Sequence, residues 1–387
     1  MSQTRLSSAA GPGIAVAGML LIAATYGMAR FGVGLFAPAL AAVRPELVGA
    51  LGWAAAAQFT SYSLAALAAA RLVDRHPRTG LLLAGATATA GCIGVAVATE
   101  PLMFVLAVLI GGMGGGFASP ALVPVIDAVT DPGSAGTAQS VANAGTAVGV
   151  IGAGGIAFAA PSVGFAWLLM ALVCAAAAAA AWYPVRHPAA LSGARRPAAR
   201  SPGAASWKLL GIPSAAAVVV GAGSALAWTF GPLLVSQGGA VAGGQVGWLW
   251  IVLGAGGLFG TLTGKLVNRI GLRAGWVLCA GSLAVATAAV GLSAVTGNPW
   301  AAYAGLAVFG AGYMGMSAVL ILWARSVWPH HAGAGTSMLF IALATGQAAG
   351  SAGFGVALDL WGPALPAALA AALCAAGGLA GLARRSP

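Results

Sequence analysis

The sequence predicts an all-α polytopic membrane protein, and three observations predict it. Sixty per cent of its 387 residues are apolar and only 6% are charged, against about 25% charged in a soluble domain, so a water-facing surface cannot be assembled. Apolar runs near twenty residues, the length that crosses ~30 Å of hydrocarbon, recur along the chain, and mean hydropathy is +0.95. Backbone groups in lipid must be satisfied within helices or a closed barrel. A barrel needs alternating apolar and polar residues; segments 175–181 and 284–290 show none, so the spans are helices.

Twelve spans follow in order, near 13–38, 51–72, 79–99, 102–127, 136–160, 163–184, 209–236, 244–267, 275–296, 299–325, 333–357 and 363–383. The first starts at Gly13 and runs well past the apolar length of a cleaved signal peptide; it also holds Arg30. The second carries Gln58 and Tyr62, spaced by four. The fifth, eighth and eleventh carry small residues on one face: Gly145 and Gly149; Gly256, Gly260 and Gly264; Gly346 and Gly350. Such faces permit close helix approach. Trp248, Trp250, Trp300 and Trp328 sit near span ends and read as interface anchors. Between the sixth and seventh spans, 185–207 is rich in Pro, Ser, Gly and Arg and reads as a polar linker. The expected organisation is an N-terminal bundle at 1–184, a cytoplasmic linker at 185–207 and a C-terminal bundle at 208–387.

The net charge of +11 does not point to nucleic acid. Fifteen of the Lys and Arg residues fall on one side of this topology, with Arg44 alone on the other and Arg30 inside the membrane. The positive-inside rule then puts both termini in the cytoplasm. The expected location is a bacterial cytoplasmic (inner) membrane, and the partners expected are lipid and a small-molecule substrate, with no nucleic acid. Twelve spans suffice for a monomeric pathway. Cys92, Cys174, Cys279 and Cys374 lie far apart within apolar runs, so no metal site or disulfide framework is expected.

The chain repeats itself. Residues 70–78, ARLVDRHPR, match 264–273, GKLVNRIGLR, at an offset of 194. Gly136-Thr137 matches Gly335-Thr336, and Thr146 matches Thr345, at an offset of 199. Repeated halves are typical of transporters whose site lies between two bundles. Segment 264–273 resembles the loop signature of the major facilitator superfamily, G-x-L-x-D-R-x-G-R-R. The first helix, YGMARFGVGLFAP at 26–38, resembles the YbfB/YjiJ-type group of that superfamily, which is itself similar to cyanate-type permeases.

That resemblance implies a major facilitator fold of two pseudo-symmetric six-helix bundles and a secondary transporter working by alternating access. It implies a conformational latch at Asp74, Arg75 and Arg78, with Asp127 as the acid that pairs with the loop arginine. In the second half Asn268, Arg269 and Arg273 occupy the equivalent loop; Asn268 replaces the Asp and Ser326 replaces the repeat of Asp127, so the latch is expected to be asymmetric. The same residues also fit solvated topology charges. The superfamily layout points helices 1, 4, 7 and 10 at the pathway, which implies a substrate site of Tyr26, Arg30, Ser119, Trp228, Thr229, Tyr313 and Ser317. Gln58, Tyr62, Asn143 and Gln347 join from neighbouring helices, although each taken singly also fits an interhelical hydrogen bond. Helices 5, 8 and 11, with their small-residue faces, are expected at the interface between halves.

Arg30 is the sharpest residue. A charge at that depth costs at least ~2.5 kcal/mol on insertion scales, so it faces a wet cavity or a partner. Its planar fork suits carboxylate or phosphate. The bland reading is an Arg that snorkels or bonds free helix carbonyls. No carboxylate or His falls at mid-membrane, so a simple proton relay is unsupported. Gly310-x-Gly312-x-x-Gly315 lacks a preceding strand, and 260–265 has one residue too few for a phosphate loop, so neither nucleotide motif stands. No cofactor, metal or enzymatic acid–base cluster is expected. The leading reading is a carrier of a small organic anion; a multidrug or metabolite exporter, or a non-transporting membrane sensor, are the alternatives.

Overall fold

A computed structural model describes residues 3–73, 75–131, 133–187, 208–260, 262–329 and 332–382. Among these residues every regular element is helical. In the first half, α1 (Gln3–Ile22) passes through a π-helical segment (Ala23–Arg30) into α2 (Gly32–Val43), followed by α3 (Leu51–Leu72), α4 (Pro77–Val97), α5 (Pro101–Val129), α6 (Ala135–Ala159) and α7 (Val163–Trp182). In the second, α8 (Gly211–Gln237), α9 (Val246–Gly260) and the short α10 (Thr263–Ile270) precede α11 (Leu272–Thr296), α12 (Pro299–Val327), α13 (Ala332–Trp361) and α14 (Ala364–Ala380).

Among the described residues, nine helical runs are long and apolar enough to cross a membrane, or ten when α9 and α10, bent by 46°, count as one. Polar residues Gln58, Thr60, Ser61, Tyr62 and Ser63 lower the hydropathy of α3, and α14 has only 17 residues. With those two, twelve rods result. Two expected helices are not single: the first contains the π-helical segment, and the one expected at 244–267 breaks between α9 and α10. Most of the expected linker, 188–207, lies outside the described residues.

Capping follows local chemistry. Ser162 Oγ accepts from the Phe165 N–H to start α7, and Asn298 Oδ1 accepts from the Trp300 N–H to start α12. Gly297, at φ 69°, takes the left-handed conformation that ends α11, which a glycine adopts without strain.

Basic residues Arg75, Arg78, Arg186, Lys208, Arg269, Arg273 and Arg325 gather at one end of the rods, here the basic end; Glu46, Glu100 and Asp359 mark the acidic end. At the acidic end Arg44 donates to the carbonyls of Val95, Ala96 and Ala98, at 3.2, 2.8 and 2.7 Å, which occupies its guanidinium. Among the described residues, helices of the two halves meet chiefly where α3 lies on α13, α6 on α9, and α2 on α8.

The expected fifth, eighth and eleventh spans, α6, α9 and α13, do reach the other half, but not through the glycine faces expected. The faces at Gly145/Gly149, Gly256/Gly260 and Gly346/Gly350 pack inside their own halves, against Met19 and Ala23, Ala307 and Ala311, and Val218 and Ala222 respectively; Gly264 touches nothing. Close approach there assembles each bundle. Different glycines form the contact between halves. A Cβ on Gly52 would lie 2.7 Å from the Ser351 carbonyl oxygen, and one on Gly154 would lie 2.6 Å from that of Gly247. One on Gly34 would strike the Trp228 carbonyl.

These cross-half contacts lie toward the acidic end. The buried core there is continuous across the halves, joining Leu35, Phe36 and Trp167 to Leu226, Trp250 and Phe309. At the basic end, Ile14, Leu21, Leu81, Phe117 and Ile126 form a separate core made only of first-half residues. The halves are thus pressed together at one end and have distinct cores at the other.

Gly149→Ala is expected to destabilise the first half by about 1–3 kcal/mol, the usual range for overpacking. The added methyl would meet the Ala23 backbone at the start of the π-helical segment, which cannot move aside as a side chain would. Thermal unfolding of the purified chain measures it.

Candidate functional site

The π-helical segment re-aims the residues it carries. Gly27 lies against Gly149, so close that a Cβ on Gly27 would come 2.6 Å from the Gly149 Cα. Widened turns of this kind recur at functional sites. The segment ends with Arg30, which is only 2% exposed.

Four aromatic rings of the first half surround the guanidinium. Its Cζ lies 4.0 Å from the ring centre of Tyr62, 4.3 Å from Tyr26, 4.9 Å from Phe59 and 5.3 Å from Phe31. Each such contact contributes ~0.5–2 kcal/mol, so together they offset a large share of the ~2.5–3.5 kcal/mol that a central arginine costs on insertion scales. One polar bond crosses to the second half: Arg30 Nη2 donates to Gln347 Oε1 at 3.5 Å. Gln347 is tied in turn to Tyr313, with Nε2 donating to the phenol oxygen at 3.1 Å and the phenol donating back to Oε1 at 3.4 Å as the alternative hydroxyl orientation. Arg30 Nε and Nη1 have no partner, and no salt bridge to Arg30 exists among the described residues. Buried donors normally find acceptors; these two do not.

A second group of rings closes the site from the other half. Trp228 stacks on Phe31 across the halves, with ring centres 3.8 Å apart and planes 14° apart. Tyr313, Phe309 and Trp250 meet Trp228 edge-on at 5.0, 5.4 and 6.0 Å. The indole N–H groups of Trp228 and Trp250 are buried without partners. Beside this group Thr229 Oγ1 lies 3.0 Å from Ser351 Oγ, and one donates to the other.

Chain membership now follows. The model of the Major Facilitator Superfamily matches residues 19–351. The chain belongs to the Major Facilitator Superfamily. No curated protein matches it in sequence. Its fold is similar to the nucleoside transporter NupG, at a TM-score of 0.73 and 11% identity over 96% of this chain and 98% of that one. It is equally similar to the xylose transporter XylE from E. coli in a partially occluded inward open conformation, with TM-score 0.73 and 15% identity over 96% and 97% of the two chains. The match reaches the superfamily and not a subgroup within it.

Tyr26, Arg30, Tyr62, Trp228, Tyr313 and Gln347 form one connected cluster. Thr229 flanks it through Ser351. Ser317 donates to the Tyr313 carbonyl at 3.2 Å on its own helix, and Ser119 is half-buried with no contact to the cluster among the described residues. Asn143 is exposed and pairs with Gln139 one turn earlier, at 3.4 Å, so it stands apart from Arg30. Gln58 is buried and lines a void of about 10 Å³ with Ala29, Cys92 and Trp167, within the first half.

Sequence reasoning missed Phe31, Phe59, Trp250, Phe309 and Ser351. Helical spacing held the signal for two of them, because Phe309 is four residues before Tyr313 and Ser351 four after Gln347. Trp250 and Trp328 are corrections: read as interface anchors, they are 0% and 4% exposed, while Trp248 and Trp300 are 51% and 77% exposed. Trp250 is held inward by the indole of Trp228.

Of the expected latch, Asp74 lies outside the described residues. Arg78 donates to the Arg186 carbonyl at 3.1 Å, tying the start of α4 to the end of α7. Arg75, Asp127, Asn268, Arg269 and Arg273 are exposed at the basic end, and no ion pair joins them among the described residues.

Gln347→Leu is expected to leave a third nitrogen of Arg30 unpaired and to break the direct polar bond between Arg30 and the second half. The cost is about 1–3 kcal/mol, the penalty of one more unmet buried donor, read as a lower thermal unfolding temperature.

Proposed function

We propose that the chain is a secondary transporter for a small organic anion, moved by alternating access between two rocking bundles at 1–184 and 208–387. One observation carries the reading. Arg30, a cationic guanidinium, is buried between the halves and holds Nε and Nη1 unpartnered with no carboxylate beside it among the described residues. An anionic solute supplies the missing acceptors and the missing charge at once. The two halves share the site: Arg30 and four rings come from one, Gln347 and Trp228 from the other.

Contacts between the halves at the acidic end, and separate cores at the basic end, support a state facing the basic end. With the basic end cytoplasmic, as the charge distribution argues, this state faces inward in a bacterial inner membrane. In that state a latch of Asp74, Arg75, Arg78 and Asp127, with Asn268, Arg269 and Arg273 opposite, would be released. XylE, similar in fold, is named for an inward open conformation.

NupG and XylE are named for nucleoside and xylose transport, so neutral solutes are the alternative; aromatic lining with few fixed charges also suits an exporter of apolar compounds. Ligand-induced thermal stabilisation of the purified chain, across carboxylates, phosphates, amines and neutral polyols, separates them. Stabilisation confined to anions is the expected result. Stabilisation by polyols or amines, with anions inert, would overturn the reading.

A further inference from the structure

We infer that the anion this site takes is planar, an aromatic or heteroaromatic carboxylate whose ring enters the stack between Phe31 and Trp228; this rests on the anion reading above. Two independent features of the cluster lead there. The first is its hydrogen-bonding inventory. The unmet buried polar atoms of the cluster are Arg30 Nε, Arg30 Nη1, Trp228 Nε1 and Trp250 Nε1, and every one is an N–H donor. The amide acceptor beside it, Gln347 Oε1, already takes Arg30 Nη2. A complementary ligand therefore brings acceptors and few donors. A polyol, whose hydroxyls donate as well as accept, fits this inventory poorly. A carboxylate attached to a ring fits it.

The second feature is the shape of the apolar part. Phe31 and Trp228 come from opposite halves and lie face to face, 14° from parallel. Tyr313 meets both edge-on, at 6.2 Å from Phe31 and 5.0 Å from Trp228. Phe31 also lies 5.3 Å from the Arg30 Cζ, so the stack begins beside the charge. When the halves rock apart, this face-to-face pair is among the contacts that open, and two flat π-faces are left beside an arginine with free donors. A planar guest restores both faces. A puckered ring of equal charge and similar size restores neither, because it cannot approach both faces at stacking distance.

The test compares benzoate, cyclohexanecarboxylate and benzamide on the full-length purified chain, by titration calorimetry or thermal shift. Benzoate is planar and anionic, cyclohexanecarboxylate is anionic and puckered, and benzamide is planar and neutral. Benzoate is expected to bind about three- to tenfold more tightly than cyclohexanecarboxylate, the usual gain from ring pairing beyond burial, and benzamide is expected not to bind. Trp228→Phe keeps this preference, and Trp228→Leu brings the two carboxylates to equal affinity while both still bind. Equal affinity of the two carboxylates for the unaltered chain would sink the planar-anion inference and leave the anion reading intact. Binding of benzamide as strong as that of benzoate, or no binding of either carboxylate, would sink both. The comparison on the unaltered chain decides the matter even if Trp228→Leu fails to fold.

Discussion

Arg30→Gln is expected to lower anion affinity at least about 100-fold while leaving the unliganded protein as stable as before, or more so. The two halves of that expectation have different causes. Each charge-assisted hydrogen bond from Nε and Nη1 to a bound anion is worth ~1.5–3 kcal/mol, and two of them exceed a hundredfold in affinity. Folding feels other terms. The substitution removes a charge whose membrane insertion costs ~2.5–3.5 kcal/mol, and it loses cation–π contacts to Tyr26, Tyr62, Phe59 and Phe31 of similar total size. It also removes two buried donors that lack partners. A purely structural arginine would behave in the opposite way, with a fall in unfolding temperature and unchanged anion stabilisation. Arg30→Lys separates charge from geometry: its ammonium is a point donor and cannot reproduce the guanidinium's spread of N–H groups. Lysine is expected to recover only part of the affinity. Unfolding temperature with and without ligand, for the three proteins together, decides the case.

Gly52→Leu is expected to drive the halves apart at the acidic end and to stop transport. Gly52 lies under α13 so closely that even a methyl would meet the Ser351 carbonyl at 2.7 Å, the Gly355 Cα at 3.2 Å and the Phe230 ring at 3.4 Å. Two of those three atoms are backbone, so they cannot turn aside. Overpacking of ~1–3 kcal/mol applies only while the halves are closed there, so it shifts the balance between states by roughly fivefold or more. The reporter sits elsewhere on the interface. Phe158 of α6 and Trp248 of α9 face each other across the halves with ring centres 5.2 Å apart, and both are exposed enough to label. Spin labels at Phe158→Cys and Trp248→Cys should give a short distance in the parent and a longer one with Gly52→Leu. Native cysteines do not interfere, because Cys92, Cys174, Cys279 and Cys374 are all buried. An unchanged distance with intact transport would show that this glycine contact is no gate.

A cleft of about 410 Å³ lies just beyond that contact, between Gly52, Phe230, Gln237, Gly355 and Asp359. Ser351, Gly355 and Asp359 are successive turns of one face of α13. The first two touch Gly52, and the third opens into the cleft.

Much of this was legible before any coordinates. Hydropathy and Lys/Arg asymmetry are properties of composition and order along one line, and they suffice for membrane helices; matched motifs at 70–78 and 264–273 showed the repeat. Arg30 and Tyr26 stood out because a charge in hydrocarbon is costly wherever the chain folds. Tyr313 and Trp228 were reachable as amphipathic residues on the helices that the superfamily resemblance points at the pathway, and Gln347 as a polar residue on a neighbouring helix. Asn143 was singled out on the same ground, polar and intramembrane by sequence; it is exposed on α6, pairs with Gln139 and does not join the ring cluster. Which face of a helix turns inward is not written in an amide.

The sequence by itself determined that this chain lives in lipid as two repeated sets of helices with one arginine inside a span, because burial energies of that size act on each segment alone. Only the tertiary structure decided which glycines bring the halves together. Gly145, Gly149, Gly346 and Gly350 look equivalent in sequence to Gly52, Gly154 and Gly247, but the first set builds each bundle and the second joins the two. It also decided that Phe31 would stack on Trp228, 197 positions further along. Both outcomes depend on the rotation of whole helices about their axes, which is set by packing summed over the entire bundle and leaves no mark on any local stretch of residues.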